Sequence, residues 1–249
     1  MSPQERQRTL DEIRENIARF GYHLYVVSGD QQPRYAYTIG LSSKLGYELA
    51  FAGGILFMYQ EVGEIVAGIV ERLSTNPAME LISYTVDPFG KFSLRTCDPT
   101  WTAQLMLGAI DFYRRQDVRG MQIVPDDEHT TIDVPDMAIP WSPQSCPTWQ
   151  YLSMPWTLPV PPTSQAITDL DALRGLSVTE ACRWEEDYWE LFAGAGPEVS
   201  KEETRILGLG ILLAADPSLH AVLDLKVGDG IWREYGSEWH IWETPDAPK

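Results

Sequence analysis

The sequence predicts an α+β protein: a largely antiparallel sheet with flanking helices, plus a smaller α+β C-terminal domain. Three observations carry this. Pro33–Leu41 alternates, with Tyr35, Tyr37, Ile39 and Leu41 on one side of an extended chain and Ala36, Thr38 and Gly40 on the other. Strand-like stretches before residue 125 are joined more often by short turns than by helices, which disfavours regular β-α-β winding. From Pro125 to Thr163 the chain turns proline-rich and carries Trp141, Trp149 and Trp156, which breaks it into two parts.

Gln4–Phe20 reads as a helix, because Leu10, Ile13, Ile17 and Phe20 recur at helical spacing and Gly21 follows where a helix ends. Tyr22–Ser28 and Pro33–Leu41 form a hairpin across Gly29–Gln32, and Glu48–Ala52 is a third strand. Glu61–Leu73 places Val62, Ile65, Val66, Ile69 and Leu73 on one helical face, with Asn76-Pro77 as its stop. Met79–Val86 and Lys91–Cys97 are strands joined through Asp87-Pro88-Phe89-Gly90. Asp98 is a capping residue before Pro99, which opens a helix to about Arg115. Met121–Val124 is the last strand of this part. The expected order is α-β-β-β-α-β-β-α-β. Trp141–Trp156 reads as an extended arm packed on the first domain, because disordered segments are poor in aromatic residues. The domains are then 1–156 and 165–249, joined by 157–164. In the second, Tyr188–Phe192 is a strand, Val178–Glu186 is a strand or a short helix, and Asp216 caps a helix opened by Pro217. Ile231–Glu234 and Trp239–Glu243 pair as a final hairpin.

Charge narrows the function. The net charge is −17, and residues 161–249 hold 7 basic and 17 acidic groups against 12 and 19 in residues 1–160. Such a surface repels nucleic acid and anionic membrane and attracts basic proteins. No apolar run approaches a membrane span. Met1–Arg19 is polar and charged, and Cys97, Cys146 and Cys182 are isolated, so the expected compartment is the cytoplasm and the thiols are expected buried and inert.

Chemistry-bearing motifs are sparse. His23, His129, His220 and His240 show no metal-binding spacing. His23 suits either a packed, hydrogen-bonded side chain or a ligand contact. Asp126, Asp127, Glu128, His129, Asp133 and Asp136 crowd one loop, read as a solvated acidic loop or a divalent-ion site without the EF-hand spacing. Gly194-Ala195-Gly196 is too short for a dinucleotide loop. Trp232, Trp239 and Trp242 form either a small core or an interface anchor. Glu185, Glu186 and Asp187 lie among Trp184, Tyr188 and Trp189, an acidic surface with interleaved aromatics.

The run Phe20-Gly21-Tyr22-His23, then Arg34-Tyr35-Ala36-Tyr37-Thr38-Ile39-Gly40-Leu41, then Tyr47-Glu48-Leu49, resembles a bacterial family known as domain of unknown function 4262. Ile139-Pro140-Trp141 fits its C-terminal signature, and the resemblance covers about residues 10–155. Tyr47 stands where the family has proline, and Ile139 where it has phenylalanine. The resemblance implies a fold and little chemistry. Tyr188–Gly194, Asp216–Leu219, Val227-Gly228 and Trp232-Arg233 look like a bacterial immunity-protein family, over about residues 178–240, whose members neutralise toxins.

Two readings follow. One is a non-enzymatic binding module of immunity type, meeting a basic protein through Glu185, Glu186, Asp187, Trp189 and Trp232. The other is a small-molecule-binding or enzymatic first domain, its site formed by His23, Tyr35, Tyr37 and Thr38 with Trp141 as a lid. Neither names a cofactor.

Overall fold

The computed structural model describes residues 2–75, 83–195 and 199–242. The chain divides into two units. The first comprises residues 1–28, 34–130 and 134–146; the second comprises 29–33, 131–133 and 147–249.

In the first unit Ser2 and Glu5 close a capping box on α1 (Pro3–Phe20), and Gly21 ends it in the left-handed region at φ +86°. β1 (His23–Val27) and β2 (Tyr35–Ile39) form the expected antiparallel hairpin. A short helix, α2 (Ser42–Leu45), separates β2 from β3 (Glu48–Ala52). α3 (Tyr59–Thr75) follows. Its expected stop at Asn76-Pro77, and the first part of the strand expected from Met79, lie outside the described residues. β4 (Tyr84–Val86) pairs with β5 (Gly90–Thr96). The helix expected from Pro99 to Arg115 is interrupted at Met106, giving α4 (Pro99–Leu105) and α5 (Leu107–Tyr113). β6 (Gly120–Pro125) completes the sheet.

The strand order is β1-β2-β3-β6-β5-β4. Every pairing is antiparallel except β3 with β6, which is parallel and sets Glu48 opposite Gly120. The fold is therefore α+β, as expected. The main core joins Ala36, Leu49, Phe51, Phe92 and Ile123 from the strands to Val62, Ile65, Val66, Ile69 and Leu73 from α3. α3 thus lies on the side of β2 that carries the small Ala36. Tyr37 and Ile39 point the other way: a Cβ added at Gly108 of α5 would strike the Tyr37 hydroxyl and approach Ile39.

The second unit has its own sheet, in the order β10-β7-β9-β8-β11-β12. It contains β7 (Gln165–Asp169), β8 (Glu180–Glu185), β9 (Tyr188–Phe192), β10 (Thr204–Gly208), β11 (Gly230–Trp232) and β12 (His240–Ile241). β7 runs parallel to β9; the other pairings are antiparallel. α6 (Leu170–Leu173) and α7 (Leu209–Ala215) accompany it, with a 3-10 segment at Pro217–Asp224 capped by Asp216 as expected. The ambiguous stretch from Val178 is a strand, and the closing hairpin forms through β11 and β12. The last residue of that expected hairpin, Glu243, lies outside the described residues. β7 and α6 were not legible in advance.

The proline-rich segment divides at residue 146 instead of forming one arm. Within the first unit, buried Gln122 donates to Pro135 O at 2.7 Å and accepts from Met137 N–H at 3.0 Å. Trp101 Nε1 donates to Ile139 O at 3.0 Å, and Trp141 N–H donates to Thr100 Oγ1 at 2.7 Å. The first two bonds hold Pro135 and Met137 to β6, and the last two fasten Ile139-Pro140-Trp141 over the start of α4. Trp149 belongs to the second unit, where it is fully buried and its indole N–H reaches Asp133 O at 3.0 Å.

Candidate functional site

In the first unit the most concentrated polar chemistry surrounds Glu48, on central strand β3. Its side chain is fully buried. Oε1 accepts from Ser42 N–H at 2.9 Å, Gly40 N–H at 3.1 Å and the Tyr113 hydroxyl at 2.6 Å. Oε2 accepts from the Thr38 hydroxyl at 2.7 Å and Leu41 N–H at 3.2 Å. Thr38 Oγ1 accepts in turn from Leu49 N–H at 2.8 Å. Gly40 makes the arrangement possible. At φ +120° it turns the chain so that three successive N–H groups face one carboxylate, and an added Cβ would meet Ile17 at 2.8 Å. The Y-T-I-G-L run and the following glutamate are one device: a carboxylate that ties the end of β2 and the start of α2 to β3.

The residues expected to bind a ligand are therefore differently employed. Thr38 is fully buried and holds Glu48, so it offers no surface to a ligand. Tyr37 is 2% exposed, and its oxygen accepts from Gly108 N–H at 3.0 Å; burial pushes its pKa up. It stacks on Tyr25 at 5.4 Å, and Tyr35 lies 6.3 Å from it. With His23, 6.0 Å from Tyr25, these make one aromatic row on one face of the hairpin, because the register sets Tyr25 opposite Tyr37. Tyr25 was missed in the sequence although the same alternation marks it. Trp141 packs edge-on against Trp101 at 6.4 Å, at α4, whereas the aromatic row meets α1 and α5. The structure gives Trp141 contacts of its own and does not show it closing over that row.

His23 lines an open groove of about 520 Å³ shared with Asn16, Phe20, Tyr22, Glu71 and Ser74. Asn16 Nδ2 donates to His23 Nδ1 at 2.9 Å, which leaves the ring proton on Nε2. Burial lowers the His23 pKa, opposed by Glu12. In the acidic loop, His129 Nδ1 pairs with Asp126 at 2.5 Å and its ring stacks on Phe57 at 5.9 Å. Burial opposes ionisation of Asp126, but bonds from His129 and Lys91 N–H hold its pKa below the usual value. Among the described residues no group of three or more His, Cys, Asp or Glu is placed to hold a metal ion, and no helix is long and apolar enough to cross a membrane.

In the second unit the register sorts the candidate partner residues by face. Trp189 faces inward. It is fully exposure-free, its indole N–H reaches Val222 O at 3.3 Å, and Arg183 stacks 4.6 Å over its ring. It is a core residue and leaves the list of contact residues. Neighbouring Ala166, Ala181 and Leu191 are buried as well. The outward face carries Glu180, Cys182, Glu190 and Ile167, since Cys182 sits opposite Glu190 and Glu190 opposite Ile167. Trp232, opposite Glu180, shares this face, is 44% exposed and lies 5.0 Å from the His240 ring. A register shift between Arg183 and Glu185 pushes out Trp184, 48% exposed, and leads into the exposed Glu185-Glu186-Asp187 turn. The three cysteines are buried and unpaired; burial, with the carboxylates of Glu190, Glu180 and Asp229, pushes the Cys182 thiol up to about 11.

The first unit is thus an α+β domain organised around a buried, multiply bonded glutamate. Residues 16–132 match the family model described as Domain of unknown function (DUF4262). Compared with curated proteins and with solved structures, the chain matches none.

Proposed function

We propose that this chain is a non-enzymatic protein-binding module, of the toxin-neutralising immunity type, whose acidic second unit holds a basic protein partner. One observation carries the reading. Trp184 stands exposed beside the Glu185-Glu186-Asp187 turn, and Trp232, opposite Glu180 at the other end of β8, is exposed on the same outward face. Large aromatics ringed by uncompensated charge are the composition of contact anchors, where the indoles supply buried area and the carboxylates steer and select. In the first unit the signature residues Thr38, Gly40 and Glu48 are bonded to one another, which favours a scaffolding role for that motif. The test is affinity capture from the host lysate at low and high salt, with the Glu185→Lys, Glu186→Lys, Asp187→Lys triple variant as control. The expected result is one basic protein, released by salt and lost in the variant. Capture unaffected by charge reversal would remove this surface from the account.

A second reading rests on the groove at His23, whose Nε2–H and the Glu71 carboxylate suit a small polar ligand. Native mass spectrometry tests it: an adduct lost in His23→Phe supports it, and one retained in that variant excludes this groove.

A further inference from the structure

The outward face of the second sheet is a formed recess. About 520 Å³ of open groove is lined by Ile167 of β7, Glu180, Cys182 and Trp184 of β8, Glu190 and Phe192 of β9, and Trp242. That is within the range of small-ligand sites and ample for a long side chain. Trp242 is held there by its N–H, which donates to Gly230 O at 2.8 Å, and by its ring, which covers Gly230 so closely that no Cβ fits. Gly230 lies opposite Cys182 in register, so the indole borders the groove floor.

Glu190 decides what the groove takes. It sits on β9, flanked by β7 and β8, with Ile167 and Cys182 as its lateral neighbours. Its carboxylate has no hydrogen bond or ion pair among the described residues. Lys201 also lines the groove; it is exposed, and it makes no ion pair with Glu190 among the described residues. A partly desolvated carboxylate amid apolar side chains is unfavourable unless a cation meets it. The Cys182 thiol at the floor is raised first by burial and then by the carboxylates of Glu190, Glu180 and Asp229. Trp184 and Trp242 add π-faces, which favour a planar, weakly hydrated cation over an ammonium.

We infer that this groove receives an arginine side chain of the basic partner, with its guanidinium on Glu190 and against the indoles of Trp184 and Trp242. The inference rests on the reading of the second unit as a surface for basic proteins, and it names the anchor within that surface.

The test uses the full chain and an oligo-arginine peptide, with an oligo-lysine peptide of equal length as comparison, read by tryptophan fluorescence at fixed low salt. Arginine is expected to bind more tightly than lysine. Glu190→Gln and, separately, Trp184→Ala should each weaken arginine binding about tenfold or more and erase the preference over lysine. Trp184 is half-exposed, so its variant keeps the test valid if Glu190→Gln alters folding. The Glu185→Lys, Glu186→Lys, Asp187→Lys variant should weaken both peptides alike and keep the preference. If affinity and preference survive in both groove variants but fall on reversal of the turn, the groove is not the anchor and the acidic-surface reading stands. If the wild-type chain binds neither peptide, both ideas fail.

Discussion

Replacing Glu48 by glutamine tests the account of the first unit most directly. The change keeps shape and volume but leaves one acceptor oxygen where two stood. On the Oε1 side are Gly40 N–H, Ser42 N–H and the Tyr113 hydroxyl; on the Oε2 side are the Thr38 hydroxyl and Leu41 N–H. The amide NH₂ fits best on the Oε2 side, where Thr38 can turn to accept. Leu41 N–H then faces another donor and is left unsatisfied, at a cost of about 1–3 kcal/mol. The remaining bonds lose their charge assistance, which roughly doubles the strength of such contacts. Together the loss comes to about 3–5 kcal/mol, a large share of the ~5–15 kcal/mol that holds an ordinary domain folded. Urea unfolding followed by hydrogen exchange at Gly40, Leu41 and Ser42 reads this unit specifically. With a slope of roughly 2 kcal/mol per molar, the midpoint should fall by about 2 M. Tyr113→Phe, which removes a donor to the carboxylate and an acceptor for Gly40 N–H but leaves the carboxylate, should cost about 1–2 kcal/mol. A Glu48→Gln protein within about 1 kcal/mol of wild type, with these amides still protected, would refute the claim that the motif is a structural clamp.

Asp169 gives a pH test in the second unit. It accepts from Ala172 N–H at 2.8 Å and Ala193 N–H at 2.9 Å, yet burial raises its pKa. A raised carboxylate contributes stability that is complete below its unfolded value, about 3.8, and lost as pH rises through the folded value. The stability of wild type relative to Asp169→Asn should therefore grow as pH is lowered toward 4 in parallel denaturant titrations; a difference constant with pH would contradict the assignment. The two tryptophans assigned to opposite faces should separate cleanly. Trp189→Ala should cost about 3–5 kcal/mol in unfolding experiments, whereas Trp232→Ala should change stability by less than about 1 kcal/mol and weaken partner binding. Equal effects on stability would overturn the face assignment.

Much of the fold was readable because its signals are local. Helix α1 is bracketed by a serine cap and a terminal glycine, and β1 and β2 alternate on either side of a short loop. What escaped depends on distant partners. The break between α4 and α5 falls at Met106, and Gly108 two residues on gains its meaning from the distant Tyr37 that packs against it. β7 went unread at the start of the second domain because its apolar content is modest; β9 and β10 flank it and make it a strand. For the site, the Y-T-I-G-L run reads as a set of ligand contacts, whereas its threonine and glycine bond to Glu48. Thr38 reads as a ligand donor until its acceptor is known, and the acceptor, Glu48, lies ten residues further on. Trp189 looked like part of an aromatic-acidic surface because one-dimensional proximity to Glu185 and Glu186 ignores that neighbouring strand residues face opposite ways. The recess at Glu190 needed the lateral register of three strands and was out of reach of any linear pattern.

The single parallel pairing in the first sheet has a kinetic meaning. β1-β2-β3 is a local meander, and β4-β5 is a local hairpin to which β6 adds after α4 and α5. Within the sheet the two halves join where β3 meets β6, positions about seventy residues apart in the chain. Closing a loop of that length costs roughly 4 kcal/mol of chain entropy before any contact repays it. The seam is thus expected to form late in the assembly of this unit, after its two locally connected halves. Glu48 stands at the seam itself, its N–H bonded to Arg119 O while its carboxylate secures the meander. One residue therefore completes the first half and presents it to the second, so the order of assembly is written into the same position that stabilises the finished sheet.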